Sequence, residues 1–143
     1  MKRRALLALL LPGGAHAMMP DPIWTDARGI GLRCLVEPPG AEAAALEAAI
    51  CRAALGLLGR LAPGLPAVRL AVGDERLLEA DRVIVLLQAG LHPGGAALAI
   101  RLWRNDPRLP AGRLFFPPPR LLPPGGDVDA AVSALLRPLL TGG

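Results

Sequence analysis

The sequence predicts an α+β fold: a two-layer sandwich with two helices on one face of a four- to five-stranded mixed sheet. Three observations carry this. Several short segments alternate apolar and polar residues with the period of two of a half-buried strand. Two longer segments repeat their apolar residues with the helical period. The chain has 143 residues, enough for one domain and not comfortably for two.

Met18 to Arg28 reads as an irregular lead-in with Pro20, Pro22 and Trp24. Leu32, Cys34 and Val36 then alternate with Arg33 and Leu35, a strand from about Gly31 to Glu37 that stops at Pro38-Pro39-Gly40. Ala41 to Leu61 is rich in Ala and Leu and free of proline, which favours helix. Its Ala43, Leu46, Ile50, Ala54, Leu57 and Leu61 fall on one face. Val68, Leu70 and Val72 mark a second strand, and the charged Asp74 to Ala80 holds one helical turn. A right-handed crossover through the long helix makes the first two strands parallel. Val83 to Leu87 is apolar on both faces, as in a central strand. Gly90 to Gly95 is a turn, and Leu98, Ile100 and Leu102 form the antiparallel return strand. Arg113 to Phe116 reads as a short edge strand. Residues 107–124 carry seven prolines, and this stretch lacks the donors of a central strand. Asp127 is placed to cap a last helix over Val128 to Leu140. The organisation expected is therefore residues 1–17 as a leader, 18–30 as lead-in, and 31–143 as one domain with a proline-rich segment at 105–126.

The first residues have the three-part grammar of a secretory signal. Lys2, Arg3 and Arg4 precede the apolar run Ala5 to Leu11, Pro12-Gly13-Gly14 breaks any helix, and Ala15-His16-Ala17 has the small-x-small pattern of a cleavage site. The alternative is a buried N-terminal helix, against which the proline and glycines argue. Cleavage after Ala17 removes three basic groups and no acidic one, taking the formal charge from +4 to +1. A nucleic-acid binder needs clustered cations in excess, so the basic character of the whole chain is no nucleic-acid signal. No apolar run approaches the ~18 residues of a membrane span. The expectation is a periplasmic or secreted protein with no transmembrane segment.

Cys34 and Cys51 lie 17 residues apart, one on the apolar face of the first strand and one on the helix that covers it. In an oxidising compartment an even pair reads as a disulfide; two buried thiols are the alternative. The spacing is wrong for thioredoxin-type chemistry, and a zinc site wants four ligands. No metal or other cofactor is expected.

Catalytic groups are few. Past residue 17 the chain holds one His (His92), one Ser (Ser133) and no Lys or Tyr. Ser133 sits inside a helical pattern without a nucleophile elbow. Asp74, Glu75, Glu79 and Asp81 cluster, with Arg76 and Arg82 interspersed, and read first as a solvated charged turn. Paired carboxylates can also perform hydrolysis. The enzyme reading is therefore a small hydrolase built on these carboxylates with His92, set against a non-catalytic binding domain.

With both helices on one face, the other face shows Arg33, Leu35, Arg69, Ala71, Ile84, Leu86, Arg101 and Trp103. An apolar row flanked by arginines is partner-anchor chemistry, and Phe115 and Phe116 can add to it. The alternative is that the 105–126 segment or a second copy covers this face. The candidate partner surface is thus Arg33, Arg69, Ile84, Leu86, Arg101, Trp103, Phe115 and Phe116, with an envelope protein as partner.

The run Ala80-Asp81-Arg82-Val83-Ile84-Val85, the turn at Gly94-Gly95, and Ala97 to Trp103 followed by Asp106 resemble the N-terminal domain of TolB and the related FlgO and CsgG-like periplasmic modules. The chain is also similar to small exported alphaproteobacterial proteins. Either resemblance implies a non-catalytic envelope protein and supplies no site residues.

Overall fold

The computed structural model describes residues 22–109 and 116–141. Five strands form one mixed sheet: β1 (Gly29–Glu37), β2 (Ala67–Arg69), β3 (Arg82–His92), β4 (Gly95–Trp103) and β5 (Arg120–Leu122). Two helices, α1 (Ala41–Leu61) and α2 (Val128–Thr141), complete it. The strand order is β2-β1-β3-β4-β5. β1 pairs parallel with β2 and β3, and β4 pairs antiparallel with β3 and β5. Both helices pack on one sheet face and against each other, so the fold is the two-layer α+β sandwich.

Alternation builds the core. Ile30, Leu32, Cys34 and Val36 of β1, Val83, Val85, Leu87 and Ala89 of β3, and Leu98, Ile100 and Leu102 of β4 all point to the helices and are buried. Ile50, Ala54, Leu57 and Leu58 of α1 meet them, with Val132, Leu135 and Leu136 of α2. Asp127 caps α2 through a 3.0 Å bond from the Ala130 amide to its carboxylate. Pro138 lies inside the final turns of that helix.

Several boundaries differ from the sequence reading, each for a local reason. β1 starts at Gly29, because Gly29 and Gly31 add no side chain to the alternation. Pro22–Trp24 is a 3-10 turn packed into the domain: Ile23 is buried, and the Trp24 indole donates to the Leu139 carbonyl at 3.1 Å. β2 stops at Arg69 because the chain turns away at Leu70. β3 runs on to His92, so the hairpin needs only Pro93 and Gly94 between its strands. The last edge strand is β5, bounded by Pro117–Pro119 and Pro123-Pro124. Of the strand expected at Arg113 to Phe116, residues 113–115 lie outside the described residues and Phe116 is not in a strand.

Candidate docking surface on the open sheet face

The face away from the helices is set out in rows by strand register. One row is Gly31, Ile84 and Trp103; the next is Arg33, Leu86 and Arg101; the third is Leu35, Gln88 and Ala99. Beyond them lie Glu37, Gly90, Ala97 and Leu121.

The first row is not open. The chain must travel from β2 back across β1 to β3, opposite in direction to the α1 crossover. A second right-handed crossover in that direction passes over the other face, and residues 70–81 do so. Gly31 makes room for it: a Cβ there would lie 2.4 Å from Leu70 Cδ1 and 2.9 Å from Ile84 Cδ1. Leu70 is 3 % exposed and Ile84 0 % exposed. Ile84 is therefore a buried packing residue and cannot belong to a partner surface. Trp103, its register partner, is half-buried. The segment covering this end of the face is 70–81, held by the Asn105 side-chain amide, which donates to the Leu77 carbonyl at 2.6 Å.

Arg69 also leaves the candidate surface. It is in register with Leu32, hence on the helix side, and its guanidinium donates to Glu47 of α1 at 2.7 Å. The alternation of Val68, Leu70 and Val72 finds this strand but turns it the wrong way: Val68 is in register with Gly31 on the open face, and Leu70 lies past the end of β2 in the crossing segment. Phe115 lies outside the described residues; Phe116 is described and exposed.

Among the described residues, what stays open is the second and third rows. Arg33, Leu35, Leu86, Gln88 and Ala99 are half-buried and Arg101 is exposed. Among the described residues neither the Arg33 nor the Arg101 side chain has a hydrogen bond or an ion pair. Arg120 of β5 is likewise unpaired, on the other face beside Leu98, whereas three arginines of the neighbouring segments are paired. Arg82 donates to Glu79 at 2.6 Å, Arg76 to Asp74 at 2.8 Å, and Arg108 to Asp106 at 2.8 Å.

The proposed hydrolase group is not brought together. The 74–81 carboxylates precede β3 and His92 ends it, so ten residues of extended strand, about 33 Å, separate them. Several of these groups are otherwise engaged. Asp74 accepts from the Arg76 backbone and side chain, and these bonds hold its carboxyl down at about 2. His92 Nδ1 accepts from the Gly94 amide at 3.1 Å inside the hairpin. Ser133 lies on α2 with Arg137 donating to its hydroxyl at 3.4 Å. Among the described residues no group of three or more His, Cys, Asp or Glu could hold a metal ion, and no helix is long and apolar enough to cross a membrane.

Sequence reasoning missed one polar cluster. The Arg104 side chain is 1 % exposed. It donates to the carbonyls of Ala80 at 2.7 Å and Ile23 at 3.1 Å, and to those of Thr25 and Asp26. Asp106 lies 3.6 Å from it and also receives Arg108; the Arg108 hydrogen bonds foremost hold the Asp106 carboxyl at about 2. This guanidinium ties the segment before β1 and the start of β3 to the end of β4. An arginine one residue past a strand has no periodic signature, so no sequence signal marks it.

Cys34 and Cys51 meet as the topology requires. Both are buried, their Cα atoms are 6.0 Å apart, and their sulfurs are at bonding distance. Comparison with protein-family models, with curated proteins and with solved structures finds no match. The surface is therefore interpreted from its own chemistry.

Proposed function

We propose that this protein is exported, loses residues 1–17, and acts in the periplasm or outside the cell as a non-catalytic protein-binding module. Its contact surface is the open part of the sheet at Arg33, Leu35, Leu86 and Arg101. The observation that carries this reading is the pair of unpartnered arginines on either side of Leu86, on a face that the fold's own crossover leaves uncovered. Half-buried apolar groups beside free guanidinium groups are the chemistry of binding anchors. The cysteine pair supports an oxidising compartment.

The test is photo-crosslinking in the producing cell. A photoreactive amino acid replaces Leu86 in one variant and Arg52, exposed on α1, in another. The reading expects a discrete protein adduct from position 86, absent from position 52 and lost when Arg101→Glu is added. No adduct at 86, or the same adducts from both positions, contradicts it.

A further inference from the structure

The open face further specifies the chemistry of its partner; this rests on the binding reading above. We propose that the row Arg33–Leu86–Arg101 receives an acidic amphipathic helix, which sets one apolar side chain on Leu86 and a carboxylate on each arginine.

The register makes the row regular. Arg33 pairs with Leu86 across β1 and β3, and Leu86 pairs with Arg101 across β3 and β4. Two strand spacings separate the arginines, about 10 Å. A helix rises about 1.5 Å per residue. Carboxylates four residues before and three residues after a central leucine are then about 10.5 Å apart, and all three side chains share one face. The two spans match to within the reach of an arginine side chain. An extended strand fits worse: its same-face residues recur about every 6.8 Å, so two of them with a third midway lie about 13.6 Å apart and overshoot the row by about 4 Å.

Charge argues for the same occupant. Both guanidinium groups lack an internal partner among the described residues; Glu37 lies four residues along β1 from Arg33, and Asp74 and Glu79 of the crossing segment are taken by Arg76 and Arg82. Carboxylates from outside are the complement that satisfies both. A second copy of the chain is disfavoured by the symmetry of the row. Leu86 lies midway, so stacking two such faces about either in-plane two-fold sets arginine against arginine.

The probe is a fluorescein-labelled helical peptide of fourteen residues with Glu four before and three after one Leu, on an alanine and glutamine background. Binding to the full exported chain is read by fluorescence anisotropy. The proposal expects saturable binding that weakens about tenfold in Arg33→Glu/Arg101→Glu, as two charge contacts of ordinary strength imply, and that falls with added salt. A peptide with Lys in place of both Glu should bind the double variant better than the wild type. The variant's thermal midpoint, read alongside, confirms that it is folded, since neither guanidinium has an internal hydrogen bond or ion pair to lose. Equal binding of a peptide with the same composition but Glu two residues either side of Leu overturns the proposal. So does failure of the acidic peptide to bind, or arginine-dependent binding to phosphatidylglycerol vesicles in its place. If crosslinking from position 86 succeeds while the peptide fails, the binding reading stands and the acidic-helix proposal falls; if both fail, the binding reading itself falls.

Discussion

Replacing Arg104 by Met tests whether the end of β4 anchors the segment that precedes β1. The side chain is 1 % exposed, and its donors reach the carbonyls of Ala80, Ile23, Thr25 and Asp26. Methionine keeps the apolar stem and removes every donor. Three of these bonds are well formed, and the fourth, to Asp26, is long at 3.4 Å. At about 1 kcal/mol net per bond the loss is about 3 kcal/mol. Asp106 retains Arg108, so the variant does not strand a carboxylate. For a domain of about 120 residues the unfolding entropy is about 0.25 kcal/mol/K, so the midpoint should fall by about 12 °C. Thermal unfolding followed by circular dichroism reads this directly. Arg104→Lys should recover less than half, because a single ammonium cannot span carbonyls on separate segments. A shift under about 3 °C for Arg104→Met would refute the anchoring role.

Further outcomes follow from other parts of the fold. Reducing the Cys34–Cys51 pair opens a 17-residue link, worth about 3 kcal/mol in the chain-entropy model. With a slope near 1.5 kcal/mol/M, the urea midpoint should drop by about 2 M on reduction, and the Cys34→Ala/Cys51→Ala variant should be insensitive to reductant. Asp74 and Asp106 have their carboxyls lowered to about 2, below the unfolded value of about 3.9. Their stabilisation is therefore complete above about pH 4 and lost as pH falls towards 2; urea midpoints across that window should decline less steeply in Asp106→Asn than in the wild type. Gly95 has φ +124, and a Cβ there would sit 2.1 Å from the Leu122 carbonyl oxygen. Gly95→Ala should cost at least about 1 kcal/mol and speed amide exchange across the β4–β5 pairing.

Much of this architecture could be read from the residues alone, because apolar periodicity reports which way side chains point. Leu32, Cys34 and Val36 marked β1, and the Ala- and Leu-rich run gave α1 its bounds, Ala41–Leu61. The same alternation placed Arg33, Leu86 and Arg101 on the face away from the helices. Ile84 and Arg69 show where it stops. Both sides of β3 are apolar, so nothing in the local pattern tells that a later crossing covers Ile84. That depends on Gly31, a glycine whose absent side chain admits Leu70. Arg69 depends on which β2 residue faces Leu32, a register set by the loop after α1. Arg104 depends on three segments converging, which a linear pattern does not encode. The separation of His92 from the carboxylates follows only once β3 is seen to run unbroken through Gly90.

The claim on which compartment, charge and partner chemistry jointly rest is removal of residues 1–17 on export. Intact-mass measurement of the native protein without reductant addresses it in one step. The account predicts a chain beginning at Met18 whose mass is two hydrogens below that of the fully reduced form. A chain that retains Met1, recovered from the cytosol with both thiols free, would contradict it.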